Sequence, residues 1–269
     1  MIAVIKGAGD IASGVAYRMH QIGFSVVMTD LNKPTSIRRT VCFSEAIING
    51  STTIENVTAE YAKRTDEIEE IISNNHIAVL ADPEAKCIKI LKPEIVIDAI
   101  MAKKNLSTSI NDAPIVIALG PGFCAGKDCH AVIETMRGHN LGRIYYNGEA
   151  EKNTGIPGSI MGYTTERILR APKDGIFNQV HQIGDIVEKD EICAYVDDLP
   201  VKSNIAGVLR GILPSGTEVY KGMKSGDVDP RSNPNNCITI SDKANAVGAA
   251  TVVAAISLSD QLKEYIYAL

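Results

Sequence analysis

Ile2-Ala-Val-Ile-Lys6, Gly7-Ala-Gly-Asp-Ile-Ala12 and, further on, Phe24-Ser-Val-Val-Met-Thr-Asp30 decide the fold class. The first stretch is a short apolar run and the second a glycine turn. After the turn, Ile11, Val15, Met19 and Ile22 recur at i, i+4, i+8 and i+11, one face of a helix. Gly23 stands where a C-cap glycine ends a helix. Residues 24–28 form a second apolar run that closes on Thr29-Asp30. Strand, glycine turn, helix and strand make a βαβ unit, with parallel strands and a right-handed crossover.

Working outward, strand-like runs recur at 77–81, 95–100, 114–119 and 143–146. Helical patterns cover 59–74, 83–91 and 128–137. This alternation predicts a Rossmann-like α/β domain, doubly wound about a parallel sheet, over residues 1–167. After residue 167 no helical period survives. Short runs at 175–180, 185–187, 191–196, 201–205, 207–212 and 218–220 predict an all-β module over 168–240. Its two pseudo-similar halves resemble the barrel-sandwich hybrid of biotinyl and lipoyl domains. The link Asp197-Asp-Leu-Pro-Val-Lys202 lacks the Met-flanked lysine of a swinging-arm carrier. The Ala- and Val-rich segment 241–269 is expected to be helical and to pack back onto the first domain.

The chain has 269 residues, which at about 150 per domain suits two domains. Lys plus Arg number 27 and Asp plus Glu 32, so the net charge of -5 excludes a fold-wide basic surface, and no nucleic-acid partner is expected. Aromatics are only 5% and Trp is absent, so the core rests on Val, Ile, Leu and Ala, a composition suited to a buried parallel sheet. No run approaches the ~18 apolar residues of a membrane span. The N-terminus has no basic n-region before an apolar core. Cys42, Cys87, Cys124, Cys129, Cys193 and Cys237 are scattered, as free thiols in a reducing compartment would be. A cytoplasmic protein is expected.

The first glycine turn fits G-x-G-x-x-A, and Asp30 ends the following strand. Gly7 and Gly9 are expected to let the backbone approach a pyrophosphate, with Asp30 accepting hydrogen bonds from a ribose. Asp10 suits the helix dipole but competes with a phosphate. The plainer alternative is a tight strand-to-helix turn that binds nothing.

A second glycine loop, Gly120-Pro-Gly-Phe-Cys-Ala-Gly-Lys-Asp-Cys-His130, follows the 114–119 strand. Gly120 and Gly122 are candidate ligand-binding positions. If 128–137 is a helix, His130, Glu134 and Arg137 share one face beside Asp128, and could move a proton or hold an oxyanion. A solvated salt-bridge face is the alternative. Cys124 and Cys129 are candidates for sulfur or selenium chemistry. The spacing C-x4-C-H matches no standard zinc site, so no metal centre is expected. Asn153-Thr-Gly-Ile-Pro-Gly158 reads as an interdomain turn, and 221–231 as an exposed charged loop.

Several of these segments together resemble one family, the YqeB-type accessory proteins of selenium-dependent molybdenum hydroxylase systems. They are residues 5–14, Ile37-Arg-Arg-Thr-Val41, Phe43-Ser-Glu-Ala46, Gly120-Pro-Gly-Phe123 and 130–139. Asn153-Thr-Gly-Ile-Pro-Gly158, Val228-Asp-Pro-Arg231 and Ser241-Asp-Lys243 complete the set. The resemblance implies a factor that matures or inserts the cofactor of such a hydroxylase, with the hydroxylase or its maturation proteins as partners. It supplies a pathway and no reaction. The ligand candidates are NAD(P) and a molybdenum-cofactor nucleotide. The alternatives are an NAD(P)-dependent oxidoreductase and a non-catalytic scaffold that docks the hydroxylase. A homo-oligomer is compatible with all three.

Overall fold

The computed structural model describes residues 1–267. The chain divides into two compact units, one built from 1–34, 43–154 and 240–269, the other from 35–42 and 155–239. The second unit thus takes 35–42 and 155–167 from the stretch assigned above to the first domain.

The first unit opens with β1 (Ile2–Lys6), α1 (Asp10–Gln21) and β2 (Ser25–Asp30), the unit legible in the sequence. It continues with α2 (Glu45–Asn49), β3 (Ser51–Ile54), β4 (Val57–Ala62), α3 (Ile68–Ser73), β5 (Ile77–Ala81), α4 (Cys87–Leu91) and β6 (Ile95–Asp98). Then come β7 (Ile115–Leu119), β8 (Cys124–Ala125), β9 (Ala131–Ile133), β10 (Ile144–Tyr145) and β11 (Gly148–Glu149). One sheet takes nine of these strands in the order β10-β9-β7-β6-β1-β2-β5-β4-β3. Its seven inner strands are parallel, while β10 and β3 run antiparallel at the two edges.

The second unit holds β12 (Ile168–Arg170), β13 (Gly175–Gln179), β14 (Ile186–Val187), β15 (Ile192–Val196), β16 (Leu199–Lys202), β17 (Gly207–Ile212), β18 (Thr217–Val219), β19 (Lys224–Asp229) and α5 (Asn235–Ile238). They form two four-stranded antiparallel sheets, β12-β19-β17-β14 and β16-β15-β13-β18. Residues 35–42 run alongside β17: Ile212 N donates to Ile37 O, and a Cβ on Gly211 would lie 2.9 Å from that same oxygen. The chain then returns to the first unit as α6 (Asp242–Leu258) and α7 (Asp260–Tyr267). Residues 268–269 of the expected tail lie outside the described residues.

The expected fold class does not hold. In place of a Rossmann-like, all-parallel sheet there is a mixed sheet, and β6 to β7 and β7 to β9 are joined by loops rather than helices. The expected helix over 128–137 is absent. Ala131, Val132 and Ile133 are fully buried there as a strand between β7 and β10, and a short apolar run takes its conformation from its neighbours. The N-terminal part of the expected 59–74 helix is likewise strand β4.

In place of a contiguous barrel-sandwich-like module there are two antiparallel sheets in a discontinuous unit. The stretch read as an exposed charged loop supplies β19, buried from Ser225 to Asp229. Its carboxylates are matched where they lie. Asp227 binds Arg167 at 2.7 Å and Arg210 Nε at 2.9 Å, and Asp229 takes Arg231 Nη2 at 2.6 Å. Charged residues reach a core when partners of opposite sign accompany them.

Two apolar layers sandwich the nine-stranded sheet. Ala3 and Ile5 of β1 face one layer with Val15 and Met19 of α1 and Val247 of α6, while Val4 faces the other with Val96 and Val116. Helices α1 and α6 cross closely: a Cβ on Gly14 would lie 2.7 Å from Ala244 Cβ, and one on Gly248 would lie 2.6 Å from Gly14 O. Gly248 also meets the Arg18 stem, so the two helices run in the same sense. Their N-termini therefore lie at the same edge of the sheet.

Candidate functional site

Strand β1 sits between β2 and β6, and the chain builds the sheet outward from it first on one side and then on the other. In open sheets with parallel strands, ligands lie outside the carboxyl ends at such a reversal. The turn Gly7-Ala8-Gly9 leaves β1 at this edge. Gly7 has φ +98, and a Cβ there would lie 2.9 Å from Ala99 O, so glycine is required on both counts. Gly7 N donates to Thr29 O at 2.7 Å. Gly9 is the N-cap of α1, and no side chain caps that helix.

Asp30 fixes the turn. One carboxylate oxygen accepts Ala8 N–H at 2.8 Å and the other Leu31 N–H at 2.7 Å. Burial pushes its carboxyl above the usual range, and the two amides pull it back only in part. Each oxygen keeps a second lone pair.

Other parts of the sequence arrive at the same edge. Gly120, with φ +76, follows β7, and a Cβ there would lie 2.6 Å from Thr135 Oγ1, just past β9. Gly122, with φ +104, passes so close to the β6–β7 loop that a Cβ would come within 2.5 Å of Lys104 Cα. Ser44 N donates to Ala8 O and Phe43 N to Ser13 Oγ, which places buried Glu45 beside the first turn. Ser241 caps α6 by accepting Ala244 N–H. The next residue, Asp242, takes Arg137 through two bonds of 2.6 Å. Residues 7–10, 43–46, 120–122, 135–137 and 241–243, distant in sequence, share one edge.

Sequence reasoning missed a buried pair there. Lys6 and Asp98 are register partners at the ends of β1 and β6, each on the same side of the sheet as the apolar residue two places before it. Lys6 Nζ donates to Thr108 Oγ1 at 2.5 Å and stands 3.7 Å from Asp98 Oδ2, which accepts the Thr108 hydroxyl. The one available signal was a charge at the inward parity in each of two apolar runs, Lys6 closing the first and Asp98 lying within 95–100. Between Asp98 and Thr108, Met101 and Lys103 hold φ +62, a costly conformation for non-glycine residues. Lys103 and Lys104 are exposed there, with no ion-pair partner among the described residues.

Of the five catalytic candidates, His130 falls at the opposite edge, Glu134 is a structural clamp, and Asp128, Cys124 and Cys129 belong to the segment between β7 and β9. With no helix over 128–137, His130, Glu134 and Arg137 share no face. His130 Nδ1 accepts Val116 N–H at 3.0 Å, and His130 N donates to Val116 O, which sets the ring at the amino end of β7. Gly120 lies four residues on, about 13 Å along the strand, at the opposite edge. Asp128 accepts Cys124 N–H within a local turn. Glu134 is fully buried and accepts Met136 N–H and Glu151 N–H, both at 2.7 Å, fastening two loops. Cys129 is buried away from any helix N-terminus, and burial pushes its thiol up to about 12. Cys124 is half-buried. Of the ligand-binding candidates, Gly7, Gly9, Asp10, Asp30, Gly120, Gly122 and Arg137 all lie at or beside the carboxyl edge. Among the described residues no group of three or more His, Cys, Asp or Glu side chains is placed to hold a metal ion, and no helix is long and apolar enough to cross a membrane.

No protein-family model matches the chain. Over 260 residues it is 46% identical to a protein of Escherichia coli K12 named "Uncharacterized protein YqeB", covering 97% of this chain and 48% of that protein. The chain resembles YqeB. It spans about half the length of that relative, and the name YqeB brings no reaction with it. Among solved structures, an aspartoacylase family protein of Mesorhizobium loti covers 78% of this chain and 58% of its own, at 9% identity and a TM-score of 0.26. The ectoine utilization protein EutE of Ruegeria pomeroyi covers 79% of this chain and 61% of its own, also at 9% identity, with a TM-score of 0.25. Likeness at that level carries no argument about fold or activity.

Proposed function

We propose that the carboxyl edge of the nine-stranded sheet binds a small ligand bearing a phosphate or a nucleotide, in the service of maturing or inserting the cofactor of a selenium-dependent molybdenum hydroxylase. The observation that carries the ligand is the N-terminus of α1. A twelve-residue helix opens at this edge with a glycine N-cap and no side-chain cap, so its first amides suit an anion. The exposed Lys103 and Lys104 add positive charge to the loop after β6. The hydroxylase pathway rests on the motif resemblance, and segments 7–10, 43–46, 120–122 and 241–243 of that resemblance gather at this edge.

Equilibrium dialysis against NAD, NADP and molybdopterin cytosine dinucleotide tests the reading. Retention of the molybdopterin dinucleotide by the wild type, and its loss in Gly7→Val, is the expected result. Retention of NAD or NADP alone transfers the case to an oxidoreductase. Binding of none of the three, with the chain co-purifying with a hydroxylase, leaves the docking scaffold and overturns the ligand.

A further inference from the structure

Beyond Asp30 the same edge opens into a cavity of about 380 Å³, over the carboxyl ends of β4 and β5. Leu80, Ala62, Pro83 and Ile90 supply apolar wall, and Asn32, Thr65 and Lys63 supply polar groups. The volume falls within the roughly 300–1,000 Å³ of small-molecule sites, and the lining adds the charged Arg64, Asp82, Glu84 and Lys86 to these walls. Ile90 is 64% exposed, an apolar side chain left bare at the rim. The charges around it are unevenly matched. Arg64 pairs with Asp66 and Glu67, Lys86 pairs with Glu84, and Asp82 accepts Cys87 N–H. Lys63 has no ion-pair partner among the described residues, so the cavity retains one uncommitted cation.

The cavity opens on the same edge as the glycine turn, with its Leu80 and Ala62 walls in the apolar layer of the face opposite α1. Gly7 N is bonded to Thr29 O, Thr29 is the register partner of Leu80, and Leu80 is the register partner of Ala62. Measured along the sheet, the backbone of the turn and that of Leu80 are therefore two strand spacings apart, about 10 Å. Asp30 and Asn32 stand between, one at the turn and one on the cavity. A bare phosphate cannot cover that distance, whereas a phosphate, a sugar and a base in sequence can.

We infer that this cavity receives the base of a nucleoside phosphate whose phosphate lies at the α1 N-terminus and whose ribose passes Asp30. The inference rests on the anion reading of the edge and adds the class of ligand. The apolar walls suit the faces of a base, and the Asn32 amide, the Thr65 hydroxyl and the Lys63 ammonium suit the acceptors and donors along its edge.

Calorimetry with the full chain, using ribose 5-phosphate and the 5′-monophosphates of adenosine, guanosine, cytidine and uridine, tests it. At least one nucleotide should bind tenfold or more tightly than ribose 5-phosphate. Ile90→Asp, which places a charge on the exposed wall, should bring that ratio to about one, and Ile90→Leu should restore it. A thermal melt confirms that both variants fold. Equal affinity for ribose 5-phosphate and all four nucleotides, or a ratio untouched by Ile90→Asp, overturns the base site and leaves the anion site standing. Binding of none of the five compounds overturns both.

Discussion

Replacing Asp30 separates its part in building the turn from any part in binding. Its carboxylate accepts two amide hydrogens, from Ala8 and from Leu31. Ala8 is fully buried, so Asp30→Ala leaves its N–H without an acceptor and without water, at a cost of about 1–3 kcal/mol. Leu31 is 46% exposed and can turn its N–H to solvent at little cost. The expected loss is about 2 kcal/mol, or about 4–8 °C in the melting temperature for a unit of this size. Asp30→Asn keeps one oxygen for Ala8, and should lose under about 1 kcal/mol.

Acid gives a second reading of the same group. Burial holds the folded carboxyl above its ordinary value of 3.8, so between 3.8 and the folded value the native state binds more protons than the unfolded chain. The carboxyl's contribution to stability therefore falls as pH rises through that window, and is constant above it. Urea unfolding of wild type, Asp30→Ala and Asp30→Asn from pH 4 to 7 measures both effects. Wild-type stability relative to Asp30→Asn should decline with rising pH before levelling. Unchanged stability of Asp30→Ala at pH 7, or a wild-type advantage that grows through the window, would refute the assignment. Asp30→Asn, with the turn kept, is then the variant in which a change in nucleotide affinity reports on the ribose.

Native-state alkylation with iodoacetamide should modify Cys124 first, since the other five thiols are buried and burial pushes Cys87 and Cys129 to about 12 and Cys193 to about 11. Peptide mapping that finds Cys129 labelled at the rate of Cys124 would show that the β8–β9 segment opens. His130→Ala should leave ligand affinity at the carboxyl edge unchanged while costing about 1–3 kcal/mol, because buried Val116 loses the acceptor of its N–H. A variant with wild-type stability and lost binding would return His130 to the site.

What the sequence determined by itself was local. Residues 2–30 carry their strand, turn, helix and strand in periodicity and in the glycine turn, where Gly7 has a backbone angle and a contact that admit no other residue, so β1, α1 and β2 were legible, and with them Gly7, Gly9 and Asp30. The role of Asp30 was not legible, because nothing local says that a carboxylate is already shared between two amides. Where the sequence offered two periods, tertiary contact chose. His130, Glu134 and Arg137 suggested a helical face, but Ala131-Val-Ile133 pairs with β7 and β10 and is drawn out as strand. The edge residues that matter most to the candidate site meet across long separations. Lys6 meets Asp98, Arg137 meets Asp242, and Gly14 meets Gly248, each through strand order or helix crossing. Asp227 and Asp229 read as surface charges until Arg167, Arg210 and Arg231 are placed against them. A charge is buried or exposed according to the partner it meets, and only the folded chain supplies that partner.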